Sequence, residues 1–229
     1  MALILQIETS TTSCSVALSE KGKNLVFKEL NERNAHASHL TLFIEEILKE
    51  AGKQTADLDA VAVSMGPGSY TGLRIGVSTA KGLCYVLDIP LLGIETLKSM
   101  ANGIRAGFTD DLLFCPMIDA RRMEVYSAVF DKDLNEICPV EAKIIDEKSY
   151  SDILSERKVV FFGDGAEKCR EILSVSENAI FIRDFYNSAT HMSDLAYRKF
   201  ENDEFEDTAY FEPYYLKDFI AGKPKTGTL

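Results

Sequence analysis

Apolar residues recur along the chain in two rhythms, and the switch between them predicts the elements. Near the start they form short runs rich in β-formers, at 3–9, 14–19 and 25–30, separated by the polar turn 10–13 and by Gly22. A β-meander is expected there. From 36 to 51 the period becomes helical: Leu40, Phe43, Ile44, Ile47, Leu48 and Ala51 share a face, Glu45, Glu46, Lys49 and Glu50 fill the other, and Gly52 closes the helix. Residues 59–64 then read as a buried strand and Gly66-Pro67-Gly68 as a loop. A helix at 71–87, a strand at 91–94 and a helix at 96–106 follow.

The remainder repeats this order. Strands are predicted at 112–118, 125–131 and 140–145, a helix at 149–156 and a strand at 159–162. Gly163-Asp164-Gly165 opens a helix at 166–173, and a weak strand at 179–182 and a helix at 190–200 complete the unit. Two landmarks coincide between the halves. Each first strand ends in an acid, at Ile7-Glu8 and Ile118-Asp119, and each fourth strand meets a Gly-x-Gly turn, at Gly66 and Gly163. The expected fold class is α/β: a two-lobed actin-like (ASKHA, ribonuclease H-like) fold of duplicated βββαβαβα units facing across a cleft. Its lobes span 1–106 and 107–229, and the second ends in a terminal segment that packs back and a disordered polar tail. Such a layout fixes no function.

Charge narrows the partners. The net charge is -11. Residues 1–106 hold 10 Lys and Arg against 11 Asp and Glu, whereas 107–229 hold 15 against 25. An acidic surface repels phosphate backbones, so unaided nucleic-acid binding is disfavoured. The five cysteines are scattered without a CxxC, which predicts free thiols in a reducing compartment and a cytoplasmic protein. No apolar run is long enough to span a bilayer, and the first nine residues read as a strand rather than a signal peptide.

The densest candidate for chemistry is Ser64-Met65-Gly66-Pro67-Gly68-Ser69-Tyr70-Thr71-Gly72-Leu73-Arg74-Ile75-Gly76. A glycine-rich loop opening a helix suits an anion, but it equally suits a tight strand-to-helix turn. The helix beyond carries only Arg74 and Lys81 as charges up to Leu87, and Gly72, Gly76 and Ala80 form a small-residue stripe. A helix apolar all round is covered all round, either inside its own lobe or by a second chain. The second possibility puts a partner surface on the helices 36–51 and 71–87, at His39, Leu40, Phe43, Ile47, Leu73, Arg74, Val77, Lys81 and Cys84, with Arg74 and Lys81 available for ion pairs across it. His36 and His39 lack a third metal ligand nearby and read as a capping or surface pair. Glu8 and Asp119 are either a carboxylate pair in the cleft or strand-end acids bonded to backbone amides. No G-x-S-x-G elbow is present.

Four segments carry a resemblance. Residues 5–18, Leu-Gln-Ile-Glu-Thr-Ser onward, are similar to the N-terminal motif of the bacterial TsaB (YeaZ) family, and 66–76 resembles its GPGS[FY]TGLRIG signature. Ile118-Asp119-Ala120-Arg121-Arg122-Met123-Glu124-Val125-Tyr126 resembles its DAR-x-x-EVY motif, and Pro213-Tyr214-Tyr215-Leu216-Lys217 its C-terminal P-x-Y-[LV]-[RK]. The resemblance implies a non-catalytic subunit needed for N6-threonylcarbamoyladenosine in tRNA. Such a subunit pairs with its catalytic paralogue TsaD and with the ATPase TsaE, forms a homodimer alone, and reaches tRNA only through the complex. It also implies departures from TsaD. The metal-binding H-x-x-x-H of TsaD corresponds here to Thr96 and Met100, its S-G-G-H-T phosphate loop to Asp119-Ala120-Arg121-Arg122-Met123, and Gly163-Asp164-Gly165 interrupts the Gly-Gly used beside adenosine. No cofactor and no metal are therefore expected. The competing expectation is an independent ASKHA-type ATPase or kinase using Glu8 and Asp119; the legacy glycoprotease label finds no zinc ligand cluster and no activated Ser or Cys.

Overall fold

The structure is a computed structural model describing residues 2–32 and 35–217. The polar tail expected to be disordered lies beyond 217, outside the described residues. The meander forms as β1 (Leu3–Glu8), β2 (Ser13–Glu20) and β3 (Lys23–Asn31), followed by α1 (Ala35–Glu50), β4 (Ala60–Gly66), α2 (Tyr70–Leu87), β5 (Leu91–Glu95) and α3 (Thr96–Arg105). The second unit is β6 (Leu113–Asp119), β7 (Glu124–Phe130), β8 (Glu136–Ile144), α4 (Ser151–Glu156), β9 (Val159–Phe162), α5 (Arg170–Leu173), β10 (Ala179–Phe181) and α6 (Ser193–Glu201). The first sheet runs β3-β2-β1-β4-β5 and the second β8-β7-β6-β9-β10, the same order twice. Each has an antiparallel meander on one side and parallel strands on the other. The actin-like, two-lobed α/β fold is thus present as read from the sequence.

Two departures have local causes. The strand β8 begins four residues before its apolar run, because Glu136–Ile144 is an exposed edge strand whose alternation mixes charges with Ile137 and Val140. Register shifts opposite Cys138 place Pro139 in irregular pairing, where its missing N–H costs nothing. The helix expected over 166–173 splits into a short 3₁₀ turn, Glu167–Cys169, and the four residues of α5.

Strand alternation explains the layers. In β1, Leu3, Leu5 and Ile7 point into the core beneath α1 and α2, while Ile4 joins Ala60, Ala62 and Leu92 on the opposite face. Both faces are covered, so every residue of β1 is buried. The helices covering the inner faces are exchanged between halves: α3 packs on β6 and β7 of the second sheet, and α6 on β1 and β5 of the first. Leu97, Met100 and Ala101 of α3 enter the core with Phe114, Val160 and Phe162, and Ala196 of α6 enters that with Ile4. Each sheet is completed by a helix from the other half of the chain, which fixes the two sheets against one another. No helix among the described residues is long and apolar enough to cross a membrane.

Candidate functional site

The cleft between the lobes is about 690 Å³ and is lined by Ser10, Thr11, Gly68 and Ser69 on one side and by Asp119, Arg121, Tyr126 and Asp164 on the other. The strand-end acids do not form a pair across it. Glu8 is buried; one carboxylate oxygen accepts from the backbone N–H and the hydroxyl of Ser10, both at 2.6 Å. Burial pushes its carboxyl above the usual range, offset in part by the Ser10 bonds. Ser10 continues inward by accepting from Asn187 Nδ2 at 3.1 Å. Glu8 therefore tethers the β1–β2 turn and, through Ser10, the segment before α6. Asp119 is exposed, accepts the backbone N–H of Arg121 at 2.8 Å and is ion-paired to Lys168. The backbone-bonded alternative describes both acids.

The positions matching the metal ligands of TsaD are used for packing. Thr96 Oγ1 accepts the backbone N–H of Gly66 at 3.1 Å, and Met100 is buried in the core with Phe114 and Phe162. His36 is likewise engaged: its Nε2 lies 3.1 Å from the carbonyl of Ser13, and burial lowers its pKa. His39 Nδ1 lies 2.9 Å from Ser38 Oγ, with the ring 5.5 Å from Phe43.

The glycine-rich loop brings α2 against the β1–β2 turn. Ser69 caps α2 by accepting from Gly72 N–H at 3.3 Å, and its own N–H donates to the carbonyl of Ser10 at 2.6 Å. The amides of Gly66, Ser69 and Gly72 are thus spent on the chain itself. Gly66 has φ of +117°, and a side chain there would sit 2.5 Å from the carbonyl oxygen of Tyr214. That contact exists because the segment after α6 returns across the first sheet. The backbone N–H of Glu206 donates to Leu91 at 2.9 Å, Phe211 enters the core, and Tyr214 N–H donates to Met65 at 2.7 Å.

The proposed partner residues divide by burial. Leu40, Ile47, Leu73, Val77 and Cys84 face the core of their own sheet, each no more than 4% exposed. A second chain reaches none of them while that core is closed. Arg74 and Lys81 hold the returning segment: Arg74 Nε donates to the hydroxyl of Tyr215 at 3.2 Å, and Lys81 Nζ donates to the carbonyls of Ala209 and Phe211 at 3.1 and 2.9 Å. Both side chains are thus engaged within the chain, Arg74 while remaining exposed. His39, Phe43 and Lys81 are half-buried, and Arg74 is exposed on the outer side.

The outward face of α2 is Thr71, Arg74, Ser78, Gly82, Tyr85 and Val86, and that of α1 includes Leu42. Tyr85 and Val86 are 84% and 78% exposed, and Leu42 51%. Between the helices runs a groove of about 490 Å³ whose lining includes Ile44, Leu48, Thr79 and Leu83, with Lys49 and Lys53 among its polar residues. Grouping apolar residues by period selected the inward stripe. The outward one was marked by small and polar residues at three- and four-residue spacing, which a search for hydrophobic surface passes over.

The family model described as "TsaD: tRNA N6-adenosine threonylcarbamoyltransferase" matches residues 29–226. The tRNA threonylcarbamoyladenosine biosynthesis protein TsaB of Escherichia coli strain K12 is 32% identical, covering 98% of each chain. Its namesake in Bacillus subtilis strain 168 is 28% identical over 93% of each. The solved structure of YeaZ from Pseudomonas aeruginosa superposes with a TM-score of 0.82 at 24% identity, covering 94% of this chain and all of that one, a likeness of fold. Taken with the doubled sheet order and the four sequence motifs, these matches show that the chain belongs to the TsaD-type family and, within it, to the TsaB proteins.

Proposed function

We propose that the chain is a non-catalytic subunit for N6-threonylcarbamoyladenosine formation in tRNA, acting in the cytoplasm by docking a TsaD-type catalytic relative, with a TsaE-type ATPase joining the assembly. The docking surface is the outer face of α1 and α2. In the absence of the relative, a second copy of the chain uses the same face. The carrying observation is Tyr85, Val86 and Leu42 standing exposed beside the apolar groove between those helices. Paired helices offering an apolar groove accept two helices of a similar fold in a four-helix arrangement. The cleft supports the same reading, since Glu8, Asp119, Thr96 and the amides of Gly66, Ser69 and Gly72 are bonded within the chain.

The test is the double variant Leu42→Glu, Tyr85→Glu, mixed with purified TsaD-type partner and followed by size-exclusion chromatography. Both side chains are exposed, so the fold should survive. Two charges opposed to an apolar contact should weaken association by about a hundredfold or more. Undiminished co-elution of a folded variant places the surface elsewhere. Turnover of MgATP by the isolated chain would instead favour an independent ATPase.

A further inference from the structure

The DAR-x-x-EVY segment is left unexplained by docking through α1 and α2. It forms the turn from β6 to β7 at the mouth of the cleft, and it contains an anomaly. Arg121 and Arg122 are consecutive and both left-handed, with φ of +74° and +53°. Hairpin turns needing positive φ at successive positions ordinarily use Asn and Gly, because a Cβ is disfavoured there. Both arginines are exposed, and among the described residues neither side chain makes an ion pair. The turn is bonded from within, Arg121 N–H donating to Asp119 at 2.8 Å and Glu124 N–H to the carbonyl of Arg121 at 3.2 Å. What it displays outward is two guanidinium groups, and these suit an anionic ligand.

The surroundings specify its chemistry. Of the nearby acids, Asp119 is paired with Lys168 and Glu124 with Lys217, while Asp164 accepts the backbone N–H of Asp119 at 2.9 Å. Tyr126 lies within the electrostatic reach of both Arg121 and Lys217. Facing them across the cleft, Tyr215 packs against Tyr70 with ring centroids 4.9 Å apart, and the Arg74 guanidinium lies over the Tyr70 ring at 4.2 Å. In a chain of net charge -11, this rim combines unpaired guanidinium groups with aromatic faces. Guanidinium forks match phosphate oxygens, and tyrosine faces accept unstacked bases. A duplex would present the phosphates without the bases.

We infer that the cleft rim formed by Arg121, Arg122, Tyr126 and Tyr215 binds a single-stranded loop of RNA. The inference rests on the proposed role in tRNA modification: the chain would contribute a direct contact within the assembly, in addition to docking its catalytic relative. The overall acidity opposes binding to the isolated chain, so the contact adds to affinity supplied by the partner.

The test is Arg121→Asn, Arg122→Gly, which gives the turn its preferred residues and so should melt no lower than the parent. A fluorescent anticodon stem-loop RNA is titrated by anisotropy, at several salt concentrations, into the chain alone and into its mixture with the TsaD-type partner. The variant should co-elute with the partner as before, bind RNA about tenfold more weakly, and show a salt slope shallower by about 1.4 for the two lost phosphate contacts. Unchanged RNA affinity with co-elution retained overturns the inference and leaves docking standing. Equal competition by free ATP for the parent's rim also overturns it, in favour of a mononucleotide site. Should the parent chain fail to co-elute with the partner, docking is what fails; the RNA contact is then read from the chain alone at the lowest salt, where phosphate contacts are strongest, and curves that coincide for parent and variant overturn it.

Discussion

Replacing Gly72 with alanine is expected to destabilise the chain by about 3 kcal/mol, lowering its melting temperature by roughly 6–12 °C. An ideal Cβ at Gly72 would overlap the backbone carbonyl oxygen of Thr9. Both groups belong to backbone, so neither can swing aside: Gly72 lies in the first turns of α2, and Thr9 follows β1 in the middle of the sheet. One of these elements must shift, and the cores on both sides of β1 shift with it. Alanine gains about 1 kcal/mol over glycine in helix propensity, which the overlap outweighs. Gly82 is the internal comparison. It stands on the exposed face of α2 with nothing within 4 Å of its would-be Cβ. Gly82→Ala should therefore stabilise by about 0.5–1 kcal/mol. Thermal unfolding followed by circular dichroism checks both. A Gly72→Ala chain within 1 kcal/mol of the parent, by that same order-of-magnitude reckoning, would mean that α2 can ride up from the β1–β2 turn freely.

Val77→Glu should cost about 4 kcal/mol or more and yield a poorly folded chain. Val77 is 4% exposed and packs in the core shared by Leu5, Ile7, Val61 and Leu40. A carboxylate there is stripped of water among apolar neighbours, and neutralising it still buries polar oxygens. Val86→Glu, nine residues along the same helix on its 78% exposed side, should change stability by no more than about 0.5 kcal/mol. The contrast separates two effects that a binding assay alone confuses. Loss of a partner through Val77→Glu would report lost folding, whereas loss through Val86→Glu would report a lost contact. Circular dichroism of the two variants, side by side, distinguishes them.

Much of the architecture was legible because burial on two sides leaves a plain trace. The runs 3–5 and 159–162 are apolar without interruption, and both lie in strands covered on both faces. The paired landmarks at Glu8 and Asp119, and at Gly66 and Gly163, did mark equivalent places in two sheets of identical order. The orientation of α2 was not legible. Its outward stripe mixes Thr71, Arg74, Ser78 and Gly82 with Tyr85 and Val86, and no period in one sequence says which stripe meets the sheet. Nor could spacing show that Arg74 and Lys81 reach residues 209–215, since those contacts span more than 120 positions in sequence. The exchange of α3 and α6 between the sheets is likewise a long-range choice. Each helix has one apolar face, and only the assembled fold decides which sheet receives it.

The central claim is that the outer face of α1 and α2 is covered by a catalytic relative. Hydrogen–deuterium exchange of the chain, alone and with a purified TsaD-type partner, tests it most directly. The account predicts slowed exchange in peptides spanning 37–46 and 71–86, with the edge strand β8 unchanged. Protection confined to the second sheet, with those two helices exchanging as they do in the free chain, would contradict it.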